Sequence, residues 1–195
     1  MSEELLAKVA SEVVVCTKCD LWKSRRKAVP GEGDSRAKII LVGEGPGESE
    51  DREGKPFVGA AGGFLEALLN GIGLDRKSVF ITNIVKCRPP KNREPRPIEV
   101  ETCTSYLERQ INIIKPDFII TLGKHSAAYV FQSRGIPFST ITEAHGKLVQ
   151  PENGRRTSIF STFHPAATLY NMKYKTELKE DFELLRRELK HRKLV

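Results

Sequence analysis

Four stretches of the chain carry continuous runs of apolar residues, and segments with helical spacing separate them. The apolar runs span residues 38–44, 79–86, 117–123 and 158–163. Continuous rather than alternating apolar runs indicate strands that are buried on both faces, as in a parallel sheet. The segments between them, such as 62–73 and 98–114, repeat their apolar residues with the period of an α-helix. The pattern therefore predicts an α/β fold with a central four-stranded parallel sheet flanked by helices.

Both ends of the chain are also predicted to be helical. Residues 3–15 and the C-terminal segment from about 178 to 189 each align apolar side chains along one helical face. A weaker strand-and-turn region is predicted for 136–150. The 195 residues contain no internal repeat and no linker-like tract, and this length suits one folding unit. We therefore expect residues 1–195 to form a single domain.

Glycine, proline, histidine and arginine gather directly after the predicted strands. The segments are GEGPGESED (43–51), CRPPKNR (87–93), GKH (123–125) and HPAATLY (164–170). In open parallel sheets the carboxyl ends of the strands meet at one edge and form the ligand crevice. The sequence therefore predicts one active site at that edge.

The first of these segments resembles a nucleotide-binding loop but does not match the known motifs. No Gly-Lys-Ser or Gly-Lys-Thr follows Gly43, Gly45 or Gly47, and their G-x-G-x-G spacing differs from the dinucleotide fingerprint. We therefore predict no nucleotide cofactor. The glycines still permit a ligand to approach the backbone closely, and a tight turn with solvated acidic side chains is the alternative.

Two polar residues are unusual for their position in or after an apolar strand. Asn83 lies between Ile81 and Val85, and a buried amide must find a hydrogen-bond partner, so it either braces a loop or binds a ligand. His164 ends the fourth apolar run and precedes Pro165, which stiffens the backbone there. A histidine at a strand end that faces other polar loops is a functional candidate.

The chain is basic and shows no signal for export. Its 32 Lys and Arg against 25 Asp and Glu give a net charge of +7, and the loop KCRPPKNREPRP (86–97) concentrates five basic side chains among four prolines. This charge is compatible with a polyanionic partner, although a basic surface that only aids solubility explains it as well. The amino terminus lacks the apolar stretch of a signal peptide, and no segment is long enough to span a membrane. We therefore expect a cytoplasmic protein.

The four cysteines follow the spacing C-x2-C-x67-C-x15-C. They are Cys16, Cys19, Cys87 and Cys103. Without an export signal, this set favours metal binding over a disulfide framework. Four thiolates suit Zn²⁺ or an iron–sulfur cluster, and the spacing alone does not decide between the two.

Three longer segments of the chain are distinctive: VGEGPGESEDREGKPFVGAAGGFLEALL (42–69), TNIVKCRPPKNREP (82–95) and FHPAATL (163–169). Together with the four cysteines, they resemble the family-four uracil-DNA glycosylases of thermophilic bacteria and archaea. The resemblance implies a DNA repair enzyme that flips deoxyuridine out of DNA and hydrolyses its N-glycosidic bond, without a lyase step. It also implies a structural 4Fe–4S cluster on the four cysteines. Relatives that trap DNA covalently use a His in an extended basic loop. Residues 88–96 of this chain contain no His, so ordinary hydrolysis is expected.

The resemblance also implies how the base is recognised. Phe57 would stack on the flipped uracil, as aromatic side chains do with bases. Asn83 would pair with O4 and N3–H, a pattern that cytosine reverses. Glu50 would lie near C5 and obstruct the methyl group of thymine.

Three further residues are implied in the chemical step. His164, together with a backbone amide near Gly45, would hold O2, where negative charge gathers as uracil departs. Glu44 would orient the attacking water and stabilise the oxocarbenium-like sugar. Other families of uracil glycosylases carry Asp or Asn at the position of Glu44, so a substrate-assisted route stays open.

Contacts with DNA beyond the base are expected from two loops. Arg88, Lys91 and Arg93 would meet phosphates, and Leu169 or Tyr170 would fill the gap that the flipped base leaves. The alternative for Tyr170 is a core position at the start of the last helix.

The expected partner is uracil-containing DNA, single- or double-stranded, which would associate the protein with the nucleoid. We expect a monomer without a membrane partner, and a sliding clamp is considered as a protein partner. Two other functions stay open from the residues alone. One is a non-catalytic DNA-binding module with an iron–sulfur or zinc site, and the other is an electron-transfer protein.

Overall fold

The computed structural model describes residues 1–151 and 157–195, and within them the chain forms six strands and seven α-helices. The strands are β1 (Glu32–Gly33), β2 (Ile39–Gly43), β3 (Phe80–Asn83), β4 (Phe118–Leu122), β5 (Leu148–Val149) and β6 (Ser158–Thr162). The helices are α1 (Ser2–Val14), α2 (Glu48–Glu53), α3 (Ala60–Gly71), α4 (Pro97–Ile114), α5 (Lys124–Gln132), α6 (Ile141–Ala144) and α7 (Lys173–His191). Short 3-10 turns occupy Asp20–Lys23, Arg76–Ser78, Pro90–Asn92 and Pro165–Leu169.

The strands form one mixed sheet in the order β1-β3-β2-β4-β6-β5. Its four inner strands are parallel and correspond to the four apolar runs. The predicted total of four strands is wrong, because β1 and β5 add antiparallel pairs at the two edges. Each edge strand is only two residues long. β1 produced no recognisable apolar pattern, whereas β5 lies within residues 136–150, for which a weaker strand-and-turn region was predicted but not counted among the four strands.

Alternate residues of the inner strands point into two apolar layers. Leu41 and Ile81 face the layer covered by α3 and α7, whereas Ile40 and Phe80 face the layer covered by α4 and α5. Burial of both faces explains why these strands are apolar throughout. The predicted C-terminal apolar face is confirmed, since Leu178, Phe182, Leu185 and Leu189 are all buried.

The N-terminal helix packs beside α4, and its end leads into the cysteine-bearing segment. Val9 and Val13 are buried in a third, smaller core that includes Cys87 and Cys103. Arg109 of α4 pairs with Glu12 of α1 through both carboxylate oxygens. In the described parts of the chain, none of the helices has the length and apolar character needed to cross a lipid bilayer.

Candidate active site

A cavity of about 370 Å³ opens at the carboxyl ends of the parallel strands. Residues from the loops after β2, β3 and β6 line it together, as the sequence predicted for three of the four segments. Its lining includes Glu44, Gly45, Glu50, Phe57, Asn83, Arg93, His164 and Tyr170. The segment after β4 does not line this cavity, but its His125 approaches Glu44 from the side.

Asn83 is the last residue of β3, and its side-chain oxygen is buried without a hydrogen-bond partner among the described residues. A buried acceptor without a partner costs free energy, so its persistence points to a ligand that supplies a donor. Gly43 makes room for this arrangement. A Cβ atom there would overlap the Asn83 oxygen and would stand 2.7 Å from the ring of Phe57.

Phe57 is buried and holds a left-handed backbone conformation, with φ of 50°. This conformation is strained for a bulky residue and needs support from its surroundings. Arg76 provides support by donating hydrogen bonds to the carbonyl oxygens of Phe57 (3.0 Å) and Pro56. The phenyl ring is stacked with the imidazole of His164, with 5.7 Å between ring centres and 28° between planes.

The tautomer of His164 follows from its contact with the backbone. Its Nδ1 accepts a hydrogen bond from the Ala166 N–H at 3.1 Å, so in the neutral ring the proton is on Nε2. Burial lowers the pKa of His164 to about 4, and the nearby Glu50 acts in the opposite direction. The ring is therefore neutral at physiological pH and presents an N–H donor at Nε2.

Glu44 follows β2 directly and is half-buried. Burial raises the pKa of its carboxyl group, and the neighbouring His125 acts to lower it. The Val85 N–H donates to the carbonyl oxygen of Glu44 at 3.1 Å, which ties the loop after β2 to the segment after β3. Gly45 lines the cavity beside it, and the predicted contact of a backbone amide near Gly45 with O2 of the base stays a prediction.

Glu50 acts as a brace between two loops. Its carboxylate accepts hydrogen bonds from the backbone N–H groups of Gly47 (3.1 Å), Val58 (2.9 Å) and Gly59 (2.9 Å). These bonds fix the loop after β2 against the start of α3. Glu50 also lines the cavity. Its predicted role near C5 of the base stays a prediction.

Arg88 and Arg93, two of the three predicted phosphate contacts, already have partners within the protein. Arg93 binds the buried carboxylate of Glu99 with both terminal nitrogens, at 2.8 and 2.6 Å. Arg88 donates to the Asn92 side chain at 2.7 Å. Lys91 is exposed at the tip of the loop. Its DNA contact, like those of the two arginines, stays a prediction.

Tyr170 lines the cavity, and Leu169 directly precedes it in the chain. The exposed fractions of Leu169 and Tyr170 are 59% and 89%. The core alternative for Tyr170 is therefore wrong, because the side chain is almost fully exposed. Which of the two enters DNA stays a prediction.

The four cysteines line one small cavity between α1, α4 and the segment after β3. Two donors point at their sulfur atoms: Arg25 Nη1 lies 3.1 Å from Cys87 Sγ, and the Lys86 N–H lies 3.2 Å from Cys103 Sγ. Burial raises the pKa of Cys103 to about 11. Within residues 1–151 and 157–195, no group of three or more His, Cys, Asp or Glu is arranged to hold a metal ion.

Lys86 differs most from what its sequence position indicates. Although it begins the basic loop, its side chain is 1% exposed. Its ammonium donates to the Asn83 carbonyl oxygen (2.9 Å), to Gln110 Oε1 (2.8 Å) and to Thr82 Oγ1 (2.5 Å). Lys86 therefore links the cysteine cavity to the strand that carries Asn83. The predicted apolar run 79–86 ends on Lys86, and this was the one signal that pointed to burial here.

Comparison with known proteins gives one matching family and several close relatives. A family model described as the uracil DNA glycosylase superfamily matches residues 30–190. The chain is 51% identical over 183 residues to a type-4 uracil-DNA glycosylase of Sulfurisphaera tokodaii, covering 93% of this chain and 83% of the relative. It is 50% identical over 183 residues to the type-4 enzyme of Saccharolobus solfataricus (93% and 85%). It is 44% identical over 181 residues to that of Archaeoglobus fulgidus (92% and 91%).

Proposed function

The chain belongs to the uracil-DNA glycosylase superfamily, among its type-4 enzymes, and we propose that the cavity lined by Phe57, Asn83 and His164 binds the uracil that it releases. The protein excises uracil from DNA in repair. This family membership speaks against the non-catalytic binding module and the electron-transfer protein. Because a glycosidic bond is inaccessible within a duplex, the nucleotide must first be extruded into a pocket.

The observation that carries this proposal is the unpartnered oxygen of Asn83. Uracil offers a donor at N3 and an acceptor at O4, which match the carbonyl and amide groups of one asparagine side chain. Cytosine presents an acceptor at N3 and a donor at the neighbouring exocyclic position, so it would leave polar groups unpaired on both sides. Leaving buried hydrogen-bonding groups unpaired gives strong discrimination.

The wall of the cavity that holds Phe57 and His164 would support departure of the base. Phe57 would stack on the uracil ring. The neutral His164 would donate from Nε2–H to O2, where negative charge grows as the glycosidic bond breaks. Its donor is already fixed by the Ala166 contact, so little reorganisation is needed during the reaction.

Glu44 would complete the reaction on the sugar side. Its carboxylate, when ionised, can stabilise the oxocarbenium-like sugar and accept a hydrogen bond from the attacking water. The glycosidic bond breaks with its electron pair on uracil N1, and the oxygen of the water bonds to the anomeric carbon. The proton that the water loses balances the charge of the departing uracil anion, which yields an abasic site and neutral uracil. Glu50 would contribute by holding the loop that carries Glu44 and by limiting the space near C5.

The four cysteines would hold a 4Fe–4S cluster, whose chemistry here would be structural. The donor set fits, because four thiols surround one cavity and N–H groups of Arg25 and Lys86 point at two of the sulfurs. The thiolates of a polynuclear cluster lie farther apart than those around one ion, so the lack of a single-ion site in the described residues does not argue against it. Anaerobic purification followed by iron and sulfide analysis tests this assignment.

The proposed function is tested with oligonucleotides that contain one deoxyuridine, in single- and double-stranded form. After incubation, alkali cleaves any abasic site and gel electrophoresis resolves the product. We expect strand cleavage that depends on uracil in both forms, and none with cytosine or thymine in its place. Absence of cleavage beside an active control glycosylase would refute the proposal.

A further inference from the structure

His125 lies between two carboxylates that come from different loops. Its Nε2 is 3.1 Å from Glu94 Oε1 and 3.8 Å from Glu44 Oε2. Glu94 belongs to the basic loop after β3, and Glu44 follows β2. His125 itself is in the first turn of α5, so three segments at the carboxyl edge of the sheet meet at one imidazole.

The side chains of His125, Glu44 and Glu94 differ in their exposure to solvent. Glu94 is 71% exposed, whereas the side chains of His125 and Glu44 are 25% and 32% exposed. The His125 contact holds the pKa of Glu94 below its usual range. Burial raises the pKa of Glu44, and His125 is the strongest influence in the opposite direction. Lys124 also faces both carboxylates and acts in the same direction as His125.

We propose that His125 is a positioning residue for base release, which keeps the Glu44 carboxylate ionised and oriented while Glu94 anchors the imidazole. This inference rests on the proposed role of Glu44 in the reaction. A protonated imidazole beside a half-buried carboxylate favours the ionised form, which is the form that can bind the water and stabilise the sugar cation. Because Glu94 is on the basic loop, the same contact also fixes that loop beside the loop after β2.

The proposal predicts a particular change in the pH profile. In His125→Gln the side chain keeps a donor but loses its charge, so protonation of Glu44 should begin at higher pH. We expect the midpoint of the acidic limb of single-turnover uracil release to rise by about 0.5 to 1 in pH. At pH well above this limb, where Glu44 is ionised in both proteins, the two rates should converge. His191→Gln, which changes an exposed histidine in the last turn of α7, is the matched control and should follow the wild-type profile.

A second readout does not depend on activity. The ionisation of Glu44 is followed by NMR through its side-chain carboxyl carbon in the wild type, in His125→Gln and in the control His191→Gln. Glu44 should titrate at higher pH in His125→Gln than in the other two proteins, because the imidazole acts to lower the pKa of this carboxyl group. Melting temperatures of all variants should stay near that of the wild type, since the three side chains are partly exposed.

The two readouts separate the possible failures. If the rate of uracil release by His125→Gln is unchanged, or is reduced equally at every pH, the positioning role of His125 is overturned. The proposed role of Glu44 in the reaction is not affected by that result. A Glu44 titration with the same midpoint in His125→Gln and in the wild type would overturn the positioning role as well. A Glu44→Gln protein that releases uracil at the wild-type rate would overturn both this inference and the role of Glu44 on which it rests.

Discussion

The carbonyl oxygen of Phe57 occupies the space that a Cβ atom at Gly62 would need. Gly62 lies in the first turns of α3, where glycine otherwise weakens a helix. Its presence allows the helix to pack directly against the strained backbone of Phe57. Gly63, the next residue, has nothing within 4 Å of its own Cβ position.

These adjacent glycines give a matched pair of variants. Gly62→Ala should push the Phe57 backbone away, lower uracil release at least about tenfold and destabilise the fold by about 1 to 3 kcal/mol. Gly63→Ala should leave activity unchanged and stabilise the protein by up to about 1 kcal/mol, because alanine is the better helix former. Single-turnover rates and urea unfolding measure both effects. Equal behaviour of the two variants would contradict the packing role of Gly62.

The depressed pKa of His164 predicts how stability depends on pH. Its pKa is about 4 in the folded protein against the ordinary value of 6.5. Between these values the unfolded chain binds a proton that the folded chain does not, so the free energy of unfolding falls as the pH drops from 6.5 to 4. Below that window both states are protonated and this contribution is constant.

His164→Asn should lack this contribution. Urea unfolding of both proteins at several pH values in this window measures the difference. We expect the free energy of unfolding of the variant to vary less steeply with pH than that of the wild type. The same slope in both proteins would show that His164 is not buried as a neutral ring.

Arg25 should protect the cysteine site. Its guanidinium donates to Cys87 Sγ at 3.1 Å and to the Val14 carbonyl oxygen at 2.7 Å. Arg25→Met removes the positive charge and the N–H···S bond, so the visible absorption of the proposed iron–sulfur cluster should bleach in air about tenfold faster. Arg26→Met, an exposed neighbour, is the control. Bleaching at one rate in wild type and Arg25→Met would contradict a protective role.

Tyr170 and Leu169 can be compared directly for insertion into DNA. Stacking of an aromatic side chain on a base contributes about 1 to 3 kcal/mol, so Tyr170→Ala should weaken binding to a duplex with an abasic site about tenfold. Leu169→Ala should have a smaller effect. Because both side chains are exposed, neither change should lower the melting temperature. Fluorescence anisotropy measures binding, and wild-type affinity of Tyr170→Ala would refute its insertion.

The sequence predicted the parts of the fold whose physical cause is local. The inner strands are apolar because both of their faces are covered, and this produces a visible run. The edge strand β1 pairs through the backbone over two residues, which leaves no trace in the side-chain pattern. The equally short β5 gave only the weak strand-and-turn signal of residues 136–150. The same limit explains the sheet of six strands rather than four.

Some site residues stand out in the sequence, whereas others depend on contacts that only the folded chain makes. Asn83 and His164 are conspicuous because polar side chains rarely occur in or directly after buried strands. The supporting contacts of Arg76, His125 and Lys86 were not predicted, because each depends on partners that only the tertiary structure brings near. Because Lys86 begins a basic loop, its sequence position did not indicate that its ammonium is buried and donates a hydrogen bond to the Asn83 carbonyl oxygen.

The central claim, that Asn83 is present to bind uracil and not to brace a loop, is tested by Asn83→Leu. Leucine has a similar size but neither donor nor acceptor, so uracil release in a single turnover should fall by about 100-fold or more. The melting temperature should stay the same or rise, because the variant removes a buried oxygen that has no partner among the described residues. Retained uracil release together with a clearly lower melting temperature would contradict the claim.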